Sequence, residues 1–282
     1  MSTTTERPGT PPAAHAPDRP RTTTLRRAAA SVGFAAGLPV LLVLGWALVT
    51  RDTANLYLPS PARVATAFVD TWLDPDTLTR DVLPSLTRFG IGVLASIAIG
   101  IVAGTLIGST PWLRALLEPM LEFFRAVPPV VLVPVLMLVL GIGDSMKLAV
   151  IVSGSVWPVL LNTVEGVRAM DPVLADTSRS YRIRGALAYR YFILPAASPQ
   201  IMAGVRLSLS IALILMVISE MFTASSGLGW QIVYFQRQFM IAEMWSGTLL
   251  LGLIGVVVAA VFHLVERRVL HWYHGSREVA RG

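Results

Sequence analysis

Apolar residues run along this chain in long blocks. They do not follow the alternation of a half-buried strand or the one-sided stripe of a surface helix. Six blocks stand out: 29–50, about 86–107, about 128–142 (with a start as early as 117), about 148–164, about 202–222 and about 247–265. A helix of about 20 apolar residues crosses the hydrocarbon core of a bilayer. The pattern therefore predicts an all-α membrane protein with six transmembrane helices. The third block is short and contains Pro128, Pro129 and Pro134. Each proline removes a backbone donor, so a kink covered by neighbouring helices is expected there.

The polar segments predict the organisation around these blocks. Residues 1–28 are dominated by Pro, Thr and Arg with nothing to bury, which predicts a disordered tail. The block at 29–50 is longer than the apolar part of a cleaved signal peptide and reads as an uncleaved first span. A membrane-spanning core then occupies 29–272, and 273–282 forms a second tail. Only 14% of the 282 residues are charged, against about 25% in soluble domains. The net charge of +6 comes almost wholly from arginine, Lys147 being the one lysine. These arginines lie between apolar blocks rather than on one water-facing surface, which disfavours nucleic-acid binding and favours a topological role. Arg7 to Arg27, Arg168 to Arg190 and Arg267 to Arg281 fall on one side of a six-span chain, and the Asp-rich connection 51–81 falls on the other. Both termini are thus expected in the cytoplasm, with the chain multi-pass in the plasma membrane; the arginine-heavy, alanine-rich composition is compatible with a high-GC bacterium. With no cysteine in the sequence, thiol chemistry and Cys-ligated metals are excluded.

The segment DTSRSYRIRGALAYRYFILP, 176–195, places four arginines between two apolar blocks. Asp171-Pro172 reads as an N-cap followed by proline at the first helical position, with helix expected to about Ser180. A second short helix is expected from Gly185 to Phe192, with Leu187 and Tyr191, and Ala188 and Phe192, sharing faces at four-residue spacing. Pro195 is expected to end it. Two readings stand: a solvated loop whose arginines set topology, or an amphipathic element that docks in a partner's groove.

The same segment resembles the cytoplasmic motif of ABC importer permeases, Glu-Ala-Ala, three residues, Gly, nine residues, then Ile-x-Leu-Pro. Asp176, Thr177 and Ser178 stand at the Glu-Ala-Ala positions, and Leu194 and Pro195 match the end. LPSPARVATAF (58–68), RAVPP, LNTVEGVRAMDP, SRSY, GVRLSL and SEMFTASSGLGW are similar, in order and spacing, to the sulfonate, taurine and nitrate branch. The likeness covers about 58–272. It implies a type I ABC importer permease fold and a non-catalytic subunit that translocates a small anion. It also implies three partners: a second permease copy, an ATPase dimer gripping the 171–195 element, and an extracytoplasmic solute-binding protein. ATP and Mg²⁺ would reside on the ATPase, with no cofactor on this chain, which lacks a G-x-x-x-x-G-K-[ST] loop. The implied ATPase-coupling residues are Asp176, Thr177, Ser178, Arg179, Tyr181, Arg182, Gly185, Leu194 and Pro195. One departure is chemical: Arg182 occupies the family's glycine position, where a bend with positive φ resists a side chain. Gly185 is expected to have taken over the bend; the alternative is that Arg182 faces an acidic site on the ATPase.

Polar residues inside the blocks give the remaining candidates. Glu220 is a gate acid, or an interface acid paired with Arg237 or Lys147. Asn162 and Glu165 either reach the coupling element or merely end a helix. Ser153, Ser155, Ser208 and Ser210 either line a polar path or serve helix packing. Residues 224–230 read as a turn with Trp230 as an interfacial anchor. His263, His271 and His274 lack a second ligand at metal-binding spacing. A membrane scaffold docking a cytoplasmic partner is the different-class alternative. A proton-coupled carrier would need inverted repeats and midplane charge, of which there is little sign.

Overall fold

The computed structural model describes residues 37–51, 55–170, 173, 180–183, 185–222 and 226–272. The expected tails 1–28 and 273–282, the Asp171-Pro172 cap, and Asp176, Thr177, Ser178 and Arg179 lie outside them. Two compact units divide the chain at Asn55. The first contributes one described element, the apolar helix α1 (Gly37–Thr50), whose Thr50 hydroxyl donates to the Trp46 carbonyl at 2.8 Å.

The second unit is all helix among its described residues. Its elements are α2 (Pro61–Trp72), α3 (Pro75–Ser109), α4 (Pro111–Ala126), α5 (Pro129–Leu140), α6 (Asp144–Arg168), α7 (Tyr189–Met221), α8 (Leu228–Arg237) and α9 (Ile241–Val269). Four of these, α3, α6, α7 and α9, are long and apolar enough to cross a membrane. The third apolar block forms the pair α4–α5, bent by 74°. The bend falls at Val127-Pro128, where Pro128 and Pro129 cannot donate to an α-helical ladder. The described residues thus have helix in all six blocks: four continuous helices long and apolar enough to cross a membrane, one bent pair, and a shorter helix in the first block.

Helix α6 is the centre of the second unit, packed against α3 on one side and α7 on the other. Small residues set how closely these helices approach. A Cβ on Gly100 would stand 2.7 Å from Val159 Cβ, and one on Gly104 2.6 Å from Thr163 Cβ. Ser155 Oγ lies 2.7 Å from Ser96 Oγ, and Ser208 Oγ donates to the Ser155 carbonyl at 2.7 Å. Trp72 closes the core from α2, donating to Ser246 Oγ at 2.8 Å and meeting Phe235 edge-on. By contrast, α4 buries none of its side chains, and α9 exposes Leu253, Val256, Val257 and Leu264. Such faces suit lipid, where exposed leucine and valine carry no cost.

Proline does not end the helix at Pro195. The single turn Ala186–Ala188 continues through a π turn, Tyr189–Ile193, into the rest of α7. Leu194 N–H bonds the Tyr189 carbonyl, five residues back. The wider turn moves the Tyr191 carbonyl clear of the proline ring, which an α-helical turn would force together. Helix α3 repeats the device: a π turn at Leu78–Val82, Leu83 N–H on the Leu78 carbonyl, then Pro84.

Candidate functional site

At the end of the bundle where α3 and α6 begin and α7 finishes, acids and bases are buried together. Glu220 is 0% exposed, Asp81 4% and Arg88 7%. Arg88 Nη1 donates to Glu220 Oε1 at 2.9 Å, and Arg88 Nε donates to Asp144 Oδ1 at 2.7 Å. Lys147 Nζ lies 3.9 Å from the same Asp144 oxygen. One arginine thereby ties the starts of α3 and α6 to the end of α7.

The acids also cap α8. Its first residues present three successive N–H groups without partners inside the helix. Gly227 N–H donates to Asp81 Oδ1 at 2.8 Å, Leu228 N–H to Ser85 Oγ at 3.0 Å, and Gly229 N–H to Glu220 Oε2 at 3.1 Å. Gln231 Nε2 adds a bond to Asp81 Oδ2 at 3.1 Å. Ser85 Oγ lies within hydrogen-bond distance of both Glu220 Oε1 and the Asp81 carbonyl; its one proton serves either. Carboxylates at a helix N-terminus are stabilised by the helix dipole. The glycines make this approach possible. Gly227 has φ 120°, and a Cβ there would fall 2.5 Å from the Glu220 carboxyl carbon. Of the stretch expected to be a turn, Ser226 and Gly227 bend, whereas Leu228 to Trp230 are helical, because the capping side chains arrive from α3 and α7.

Glu220 is paired: Arg88 forms its hydrogen-bonded ion pair, and the buried Lys147 also acts on it through charge. Arg88 sits inside the second apolar block, and a lone cation in such a block is the signal that would have found it. Ser155 and Ser208, both 0% exposed, lie within helix contacts. Asn162 donates to the Pro158 carbonyl of its own helix at 2.8 Å. It lines a largely apolar cavity of about 490 Å³ between α4–α5, α6 and α7, with Arg125, Pro129, Trp157 and Leu207. Glu165 pairs with Arg168 at the exposed end of α6.

The segment leading into α7 has two left-handed residues. Arg182 has φ 54° and Gly185 φ 62°. The bend has not simply moved to Gly185: Arg182 itself takes the conformation that favours glycine. Tyr181, Leu187 and Tyr191 are 76%, 59% and 63% exposed. Leu194 and Pro195 follow directly on the π turn, inside the continuous helix α7.

Residues 96–271 match the family of binding-protein-dependent transport system inner membrane components. The chain belongs to this family. A probable ABC transporter permease of Brucella melitensis is 31% identical over 228 residues, 81% of this chain and 92% of that protein. The taurine transport permease TauC of Escherichia coli is 28% identical across 85% of this chain and 88% of its own length. The nitrate import permease NrtB of Synechocystis is 26% identical across 84% and 88%. Among solved structures, the permease fold superimposes on a chain of the inward-facing MetNI methionine transporter with TM-score 0.59 at 18% identity. That match spans 68% of this chain and 96% of the other. The permease is accordingly a multi-pass membrane transport subunit.

Proposed function

We propose that this permease is the membrane subunit of an ATP-driven importer for a small anion of the alkanesulfonate, taurine or nitrate kind. The relatives named for those solutes, similar over more than four-fifths of the chain, carry the reading of the solute. A separate solute-binding protein delivers the anion at the end that holds Arg88 and Glu220. A pair of ATPase subunits grips the opposite end through the segment 171–195, and two permease copies enclose the path. All six apolar blocks cross the membrane, and both termini face the cytoplasm of a bacterial cell. ATP and Mg²⁺ stay on the ATPase.

The geometry of the coupling segment supports this reading. Leu187 and Tyr191 present uncovered apolar surface, which suits insertion into a groove. Their turn runs without interruption into α7, so a displacement there is carried along a rigid helix toward Glu220. The Arg88–Glu220–Asp81 network holds α3, α6, α7 and α8 as one body at the far end, the condition for rigid-body switching between two states. The test is co-purification with the ATPase, followed by ATP hydrolysis in liposomes with and without solute-loaded binding protein. Stimulation by the loaded protein is expected. A permease that purifies without any ATPase overturns the reading.

A further inference from the structure

The cavity of about 490 Å³ between α4–α5, α6 and α7 lies where the third apolar block breaks. Its walls include Pro129, Trp157, Leu161, Leu207, Ile211 and Ile214. Apart from the indole of Trp157, the polar side chains lining it are those of Arg125 and Asn162. Two observations point to water rather than lipid beside these walls. First, Val127 and Pro128 are extended between the two helices, and Pro129, the next residue, lines the cavity. Non-helical backbone at membrane depth is tolerated only where it is buried in protein or borders water. Second, Arg125 pairs with Glu122, and both side chains are more than half exposed. Charges turned toward lipid are costly. The walls are also closely built. Phe124 lies parallel to Trp157, with 8° between the ring planes and 6.1 Å between centroids. Gly154 leaves no room for a Cβ, which would press on Leu215 and Pro129.

The chemistry of this lining is one-sided. Arg125 already has its counter-ion in Glu122, and Asn162 uses one N–H on the Pro158 carbonyl of its own helix. Among the described residues, no acid and no uncompensated cation lines the cavity. A small, strongly hydrated anion gains nothing there, because the water it loses is not replaced. The ammonium of a zwitterion meets no carboxylate in the wall. A hydrocarbon chain, by contrast, is stabilised by each methylene it buries. We infer that this cavity receives the apolar body of the transported solute, which is therefore an organic anion with an alkyl chain rather than nitrate or taurine. The charged head stays hydrated at the rim. The inference rests on the proposed transport reading and narrows its solute.

The full-length permease in phosphatidylcholine nanodiscs is titrated with labelled butanesulfonate, with empty nanodiscs as the bilayer background. Ethane-, propane-, pentane- and hexanesulfonate, taurine and nitrate then compete for the site. Affinity should rise about fourfold per methylene along the series, as the transfer of one CH₂ group out of water requires. Nitrate and taurine should compete roughly tenfold or more weakly than butanesulfonate. The double variant Leu207→Gln/Ile214→Gln changes two wall residues that are more than half exposed, so its melting temperature should stay close to that of the parent while the chain-length dependence flattens. Asn162→Leu, which extends the apolar wall, should instead tighten hexanesulfonate several-fold. Val256→Gln, at an equally exposed position of α9 outside the cavity, serves as the control and should keep the full dependence. Affinity that ignores chain length, nitrate that competes as well as butanesulfonate, or an undiminished dependence in the double variant, which would mark partition into the bilayer, overturns the inference. Co-purification with the ATPase is scored separately. Association with a flat series overturns this inference alone; a rising series without association leaves the preference of the cavity standing while the importer reading falls.

Discussion

Arg88 and Glu220, 132 residues apart, form a 2.9 Å ion pair from which solvent is almost wholly excluded. Arg88 also reaches Asp144, and Glu220 also accepts from Gly229 N–H. Neither charge would be tolerable there alone.

Removing one partner should therefore be worse than removing both. Arg88→Leu leaves Glu220 buried without its cation and should destabilise the permease by about 3–5 kcal/mol. The double variant Arg88→Leu/Glu220→Leu should recover a large part of that loss. Thermal unfolding of the purified variants in one detergent measures the difference. Equal melting temperatures for the single and double variants would show that the pair is not coupled.

Gly227→Ala tests the cap on α8. The substitution meets both a left-handed backbone and the Glu220 carboxylate. The two effects together should cost about 2–4 kcal/mol. The same unfolding assay applies, and limited proteolysis should cut first near residues 223–227. A Gly227→Ala protein as stable as the parent would contradict the geometry.

The turn before α7 makes opposite forecasts for its two left-handed residues. Arg182→Gly removes a side chain from an unfavourable backbone and should be neutral or stabilising by about 1 kcal/mol. ATPase association, measured by co-purification, should persist. Gly185→Val puts a β-branched residue at φ 62° and should abolish that association. Because a Cβ at Gly185 would touch nothing within 4 Å, its effect would come from the backbone alone. Wild-type association of the Gly185→Val variant would dismiss the turn as a coupling element.

Two glycines of different spans should respond with opposite sign to alanine. A Cβ on Gly104 would stand 2.6 Å from Thr163 Cβ and 2.8 Å from the Leu160 carbonyl, so Gly104→Ala should cost about 1–3 kcal/mol as α3 and α6 are forced apart. Gly252 has nothing within 4 Å, and Gly252→Ala should raise helix stability by up to about 1 kcal/mol. Melting temperatures of the two variants decide it.

The helices were legible in the sequence because length and unbroken apolarity suffice to identify a membrane-crossing block. The prolines at 128 and 129 marked where one block breaks. Three features were not legible. The continuation past Pro195 depends on a π turn, and proline alone signals a stop. The helical state of Leu228–Trp230 depends on caps from Asp81, Ser85 and Glu220, which are remote in sequence. The partner of Glu220 could not be chosen from spacing, although Arg88 stood in plain view as a charge among apolar residues. Of the coupling candidates, Arg182 adopted the very backbone geometry that its residue type argues against.

The two π turns carry a consequence for anyone cutting or grafting this chain. Each holds one residue more than an α-helix of the same rise. Deleting a single residue from Tyr189–Ile193 would leave the helix on both sides close to its present register, because the wide turn absorbs that residue as a local bulge. It would also press an upstream carbonyl against the ring of Pro195, as an ordinary α-helical turn does. The extra residue is thus a spacer: it lets a proline stand inside an unbroken helix without changing the direction in which Leu187 faces.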